Sequence, residues 1–310
     1  MEYKYIFGPV PSRRLGVSLG VDLINLKTCN FDCVYCEVGK TPKTITKRGE
    51  YVNTETVLTE LKDYLKKKPY LDFITFAGSG EPLLNSKIGY LIKEIKKITD
   101  TKVAIITNGA LFCKDEVIDE ILEADIIIPS LDAVTEEVFQ KINRPNEEYT
   151  IEAIKKGLIN LRRKYSGEIA LEIFIIDGLN NTKSELDEFK KVIEEIKPDK
   201  IQLNSLDRPP VEGWVKKAPI EKLEEIIEYW GLENVEIVTK YKSRRLIKSY
   251  DANSEKMILN MIEKRPCTLK DLQEITGINV SELNKYLDVL EKEGKVKSII
   301  GERGVFIKKN

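Results

Sequence analysis

Two periods of hydrophobic and polar positions alternate along most of the chain. Runs that are apolar nearly throughout, at 17–26, 71–77, 103–107, 125–130, 169–176, 200–206 and 235–238, read as buried strands. Between them lie amphipathic stretches with helical spacing, at 54–68, 86–98, 114–123, 135–142, 151–164, 183–196 and 220–230. In the first of these, Thr54 is placed to cap the start, and Val57, Leu58, Leu61 and Leu65 share one face. Lys66, Lys67 and Lys68 then close it before Pro69. The alternation gives at least six strand–helix units. Strands apolar on both faces, each followed by a helix, imply a parallel sheet covered by helices: an open doubly wound sheet, or a full or partial barrel. In both architectures chemistry sits at the C-terminal ends of the strands.

The unusual residues fall at those ends. Cys29, Cys33 and Cys36 follow the first strand, and Gly78, Ser79, Gly80, Glu81 and Pro82 the second. Thr107, Asn108 and Gly109 follow the third, and Ser130 with Asp132 the fourth. The fifth leads into 177–181, and the sixth carries Gln202, Asn204, Asp207 and Arg208. Any one of these is an ordinary turn residue. Their collection on one rim marks a candidate site.

From about residue 251 the pattern changes to short helices at 254–263, 268–276 and 280–293, with Gly277 as a C-cap, and strands at 296–300 and 305–308. Three helices with a tight turn between the second and third, followed by a hairpin, match a winged helix-turn-helix module. The expected organisation is therefore an α/β domain over 1–240, a basic linker over 241–253 and a winged-helix-like domain over 254–310.

The composition narrows the chemistry. With 50 Lys and Arg against 51 Asp and Glu and no His at all, a Ser-His-Asp triad, a His-ligated metal and an imidazole acid or base are excluded. At 42% hydrophobic and 33% charged residues the chain is of globular type. No run approaches the roughly 18 apolar residues of a membrane span, and the first residues carry no apolar leader, so no membrane association and a cytoplasmic location are expected. A net charge of −1 argues against a globally basic nucleic-acid binder. DNA reading by the terminal module is further disfavoured, because its third helix carries a net charge of −2 where phosphate contact wants positive charge.

Three of the five cysteines lie within eight residues, which is not the distributed set of a secreted disulfide framework. Three thiolates on one short loop point to a soft metal centre, either zinc or an iron–sulfur cluster. A closed zinc site needs a fourth ligand, and no His exists to supply it. A cubane held by three thiolates leaves one iron open for chemistry. Cys113 and Cys267 stand alone and are expected to be small buried hydrophobes, with Cys113 as a hydrogen-atom donor in the alternative.

The stretch from Cys29 to Cys36, with Tyr35 before the last Cys, resembles the CxxxCxxC hallmark of the radical S-adenosylmethionine (SAM) superfamily. The 78–82 loop is similar to that family's glycine-rich element after its second strand. The resemblance covers roughly 1–240 and implies a partial (β/α)6 barrel, in which Cys29, Cys33 and Cys36 ligate a [4Fe-4S] cluster whose fourth iron chelates SAM. It further implies an electron donor of flavodoxin or ferredoxin type. Gly78, Ser79, Gly80 and Glu81 would hold the methionine moiety, with Glu81 on its ammonium. Tyr35 and the strand toward Ile176 would lie by the adenine, Asn108 by the methionine or ribose, and Ser130 and Asp132 by the ribose. Arg144 is a candidate for the SAM carboxylate, or else a surface ion pair.

Within the superfamily, the opening from Gly8 to Gly16 and the stretch 203–210 resemble the group related to wyosine-base-forming tRNA enzymes. Residues 1–28 lack the cysteines those enzymes use for a second cluster. Arg13 and Arg14 are candidates for a substrate phosphate or carboxylate, or for closing the barrel by ion pairing, and Asp207 and Arg208 would face the same opening. The substrate class stays open, RNA among the options. The rival reading is a redox sensor in which a cluster gates the terminal module.

Overall fold

The computed structural model describes residues 3–12, 14–206, 210–238, 252–264, 266–301 and 304–310. Arg13, Asp207 and Arg208, and nearly all of the expected linker, lie outside the described residues.

Eight strands form one sheet in sequence order: β1 (Ile6–Ser12), β2 (Gly16–Val21), β3 (Phe73–Phe76), β4 (Lys102–Thr107), β5 (Ile126–Pro129), β6 (Glu168–Phe174), β7 (Lys200–Asn204) and β8 (Val235–Ile237). From β2 onward every neighbouring pair is parallel, whereas β1 returns antiparallel to β2. The crossovers carry α1 (Thr54–Leu65), α2 (Ile88–Ile98), α3 (Asp115–Glu120), α4 (Glu136–Ile142), α5 (Ile151–Lys164), α6 (Lys183–Ile196) and α7 (Ile220–Trp230). This is the α/β architecture expected from the alternation. The strand β1 was not expected, because Gly8, Pro9 and Pro11 hide its pattern and Pro is tolerated only at a sheet edge or bulge. The cap of α1 also lies one residue earlier than expected: Asn53, not Thr54, accepts the Thr56 N–H at 2.8 Å.

Side-chain alternation along each strand divides the core. In β6, Ile169, Leu171 and Ile173 face the helices and join the main hydrophobic core. The alternate residues Ala170, Glu172 and Phe174 face the concave side. There Ala170 meets Leu15, Ala104, Ile126 and Ile128 in a small plug. From the turn between β1 and β2, Arg14 forms an ion pair with Glu172. A contact from the first hairpin to the fifth parallel strand means that the sheet curls into a partial barrel.

The C-terminal residues form their own core. In α8 (Ala252–Lys264), α9 (Leu269–Thr276) and α10 (Val280–Lys292), Ile258, Ile262, Leu272, Leu283, Leu287 and Leu290 pack together with Val296 and Ile307. The latter two come from β10 (Val296–Gly301) and β11 (Gly304–Lys309), and β9 (Cys267–Thr268) pairs with β11 to complete a three-stranded sheet. Thr268 and Asp271 make a reciprocal capping box on α9, and Gly277 ends it at φ +70°. Among the described residues no helix is long and apolar enough to cross a membrane.

Candidate active site

The parallel strands end on one rim, and the cysteine loop lies across it. Its approach from β2 is laced to the glycine-rich loop after β3: Lys27 N–H donates to the Ser79 carbonyl at 2.7 Å and Glu81 N–H to the Thr28 carbonyl at 3.1 Å. Glycine is required at 80 by that pairing, since a Cβ there would stand 2.0 Å from the Thr28 carbonyl oxygen. A Cβ at 78 would stand 2.4 Å from Cγ of Asp22. The close approaches of both glycines are thus to the protein's own groups. Asp22 in turn accepts from Ser79 N–H at 3.1 Å and Ser79 Oγ at 2.6 Å, so the loop is held from both sides.

Glu81, only 2% exposed, ties this loop to the next one along the rim. Its carboxylate accepts from Leu83 N–H at 3.0 Å, Thr107 Oγ1 at 2.7 Å and Asn108 N–H at 2.8 Å. Burial nevertheless wins over these donors and pushes its pKa up to about 7.

Each of the three cysteine sulfurs faces a nitrogen donor from a different side chain. Lys27 Nζ lies 3.2 Å from Cys36 Sγ, Asn143 Nδ2 3.5 Å from Cys33 Sγ, and Asn108 Nδ2 3.7 Å from Cys29 Sγ. Asn108 is itself oriented by Asn30, whose Oδ1 accepts from it at 2.6 Å. Burial, reinforced by the nearby Glu81 charge, pushes the Cys29 thiol up to about 12. Cys33 is raised by burial and by its two neighbouring thiols. Thiols so placed ionise only if a cation joins them, and the encircling N–H groups suit sulfurs that carry negative charge. Among the described residues no three His, Cys, Asp or Glu side chains close on one point as a mononuclear ion requires. Three cysteine sulfurs on one loop, each met by an N–H donor, form a donor set that fits an iron–sulfur group.

Tyr35 lies flat on Phe174, with ring centroids 4.0 Å apart and planes 8° apart. Its hydroxyl donates to Asp132. Asp132 also accepts from Asn143 Nδ2 at 2.9 Å and Phe174 N–H at 3.0 Å, and burial raises its pKa to about 6. Asp132 therefore scaffolds Tyr35 and the Cys33-facing Asn143, a use the sequence did not reveal. Ser130 bridges β5 to β6 opposite Glu172. Val34, Ile142, Ile176, Leu206 and Val215 surround Tyr35 and Phe174 as a separate apolar cluster.

Two arginines sit in ion pairs. Arg144, at φ +43°, places Nη1 2.6 Å from Glu212, which is the surface-pair alternative. Arg14 is committed to Glu172, the closing-pair alternative. Cys267 is buried as expected, but Cys113 is exposed at the end of a short 3-10 helix (Ala110–Cys113), contrary to the expectation of a buried thiol. Lys27, Asn30, Asn143 and Asp22 were missed, since nothing local distinguishes them from turn and cap residues.

A model of the radical SAM superfamily matches residues 26–196. A protein of Brachyspira hyodysenteriae named GTPase Obg is 37% identical over 97% of this chain, which spans only 44% of that relative's length. A UPF0026 protein of Methanocaldococcus jannaschii is 31% identical over 98% of this chain and 95% of its own. A probable dual-specificity RNA methyltransferase RlmN of Flavobacterium johnsoniae is 22% identical over 70% of this chain and 62% of its own. Among solved structures, a radical SAM methyltransferase from Sphaerobacter thermophilus superposes with a TM-score of 0.53 at 17% identity, over 71% of this chain and 65% of that one. The chain belongs to the radical SAM superfamily, whose members use a [4Fe-4S] cluster and S-adenosylmethionine.

Proposed function

We propose that the protein is a radical SAM enzyme with one [4Fe-4S] cluster held by Cys29, Cys33 and Cys36. The observation that carries this reading is the ring of three nitrogen donors around three half-buried cysteine sulfurs at the rim. When bound, the cluster and SAM together supply a 5′-deoxyadenosyl radical that takes a hydrogen atom from the substrate.

The protein's part is positioning. Asn108 and Asn143 hold their amides toward two sulfurs, fixed in turn by Asn30 and Asp132. The 78–81 loop, braced between Asp22 and Thr28, offers backbone groups at the rim for the methionine moiety, and Glu81 has lone pairs left for its ammonium. Tyr35 and the apolar cluster around Phe174 form the wall for the adenine, and Ser130 lies toward the ribose. Burial of this wall keeps water out of the site.

A second reading, an RNA-modifying radical SAM enzyme, is favoured by the similarity to the RNA methyltransferase. The redox-sensor reading gives no reason for a braced 78–81 loop beside the thiols. Anaerobic reconstitution, with iron and sulfide analysis and EPR of the reduced protein, tests the assignment. About four irons per chain and an EPR signal altered by added SAM support it. A protein that takes up no cluster, or whose signal ignores SAM, overturns it.

A further inference from the structure

We propose that Lys27 sets the reduction potential of the cluster, raising it through the ammonium held against Cys36; the proposal rests on the cluster assignment above. Of the three nitrogen donors, only Lys27 is charged, and it has the shortest approach, 3.2 Å from Nζ to Cys36 Sγ. Its ammonium has no carboxylate partner among the described residues, so its charge is directed at the sulfurs, and it is felt at Cys29 as well. The backbone supports a dedicated placement. Lys27 has φ +59°, the left-handed region that L residues with a Cβ normally avoid. The structure keeps it there through the 2.7 Å bond from its N–H to the Ser79 carbonyl.

The electrostatic consequence has a definite sign. Reduction takes the cluster from [4Fe-4S]2+ to [4Fe-4S]+ by one electron from an external one-electron donor, with no proton moved. A fixed positive charge beside a ligand sulfur stabilises the more negative product over the reactant, so the potential rises. The neutral amides of Asn108 and Asn143 act in the same direction more weakly. Because the backbone of Lys27 is bonded to Ser79, the placement of this charge is tied to the loop proposed to hold SAM.

The test is a potentiometric titration of the anaerobically reconstituted full chain, followed by EPR, for wild type, Lys27→Met and Lys27→Arg. At the wild-type midpoint, Lys27→Met is expected to show at least a tenfold lower ratio of reduced to oxidised cluster, a shift of about 59 mV downward. Lys27→Arg is expected to restore most of it. Equal midpoints for wild type and Lys27→Met, at equal iron and sulfide content, would overturn the proposal. If Lys27→Met takes up no cluster, wild type carrying 15N-lysine supplies the reading: hyperfine coupling from a lysine nitrogen to the reduced cluster is expected, and its absence overturns the proposal. A wild-type protein that itself holds no four-iron cluster is a different result, the failure of the cluster assignment.

Discussion

Asn279, the residue that caps α10 in the C-terminal module, donates from Nδ2 to the buried carboxylate of Asp22 at 2.9 Å. The same Asp22 oxygen accepts from Ser79 N–H and Oγ. The terminal module is therefore joined by one shared carboxylate to the glycine-rich loop. Burial raises the pKa of Asp22, opposed by the Ser79 hydroxyl and the Asn279 amide.

Replacing Asn279 by Asp keeps a capping oxygen for Ser281 N–H but sets a second carboxyl against Asp22. The folded pair then binds a proton more tightly than the unfolded chain. The mutational penalty should be small near pH 4 and grow as pH rises through the raised folded value, reaching about 1.5–3 kcal/mol at pH 8. Urea unfolding at the two pH values checks this, and a pH-independent penalty would contradict it. SAM affinity of the reconstituted variant should fall several-fold at pH 8.

Glu81 predicts a pH dependence of SAM binding. Its carboxyl is held up to about 7 by burial, so at lower pH it carries a proton that must leave before an ammonium can bind. The dissociation constant for SAM should rise by at most tenfold per unit as pH falls below about 7. Titrations between pH 6 and 8.5 test this, and Glu81→Gln should bind more weakly with the pH dependence gone.

The Tyr35 hydroxyl donates to a buried carboxyl, while its ring stacks on Phe174. Tyr35→Phe keeps the stack and removes one donor, so a loss of about 1.5–3 kcal/mol in urea unfolding is expected without loss of iron. A neutral substitution would show that Asn143 and the Phe174 N–H satisfy Asp132 alone.

Arg14 and Glu172 pair inside the barrel, each about one-eighth exposed. Arg14→Met should destabilise by about 3 kcal/mol by leaving Glu172 buried and unpaired, and adding Glu172→Leu should recover most of it. Additive losses in the double variant would contradict the pairing.

Much of this architecture was legible in the sequence because buried parallel strands are apolar on both faces, as in 103–106 and 126–129. The edge strand β1 was not, since Gly8, Pro9 and Pro11 erase the signal. In the site, the cysteines and the 78–81 loop stood out through their spacing. Lys27, Asn143 and Asp22 did not, because their roles come from partners that only the fold brings near: Asn143 meets Cys33 across 110 positions and Asn279 meets Asp22 across 257. For Asp132 the position was visible and the use was not. Its oxygens hold Tyr35 and Asn143, a pairing no local pattern encodes.

Formation of 5′-deoxyadenosine by the reconstituted, dithionite-reduced protein with SAM, quantified by chromatography, decides whether Cys29, Cys33 and Cys36 carry radical chemistry. Formation is expected in the wild type and none above background in Cys29→Ala, Cys33→Ala or Cys36→Ala. Formation that survives loss of any of these cysteines would contradict this, as would a fully loaded, SAM-binding wild type that forms none.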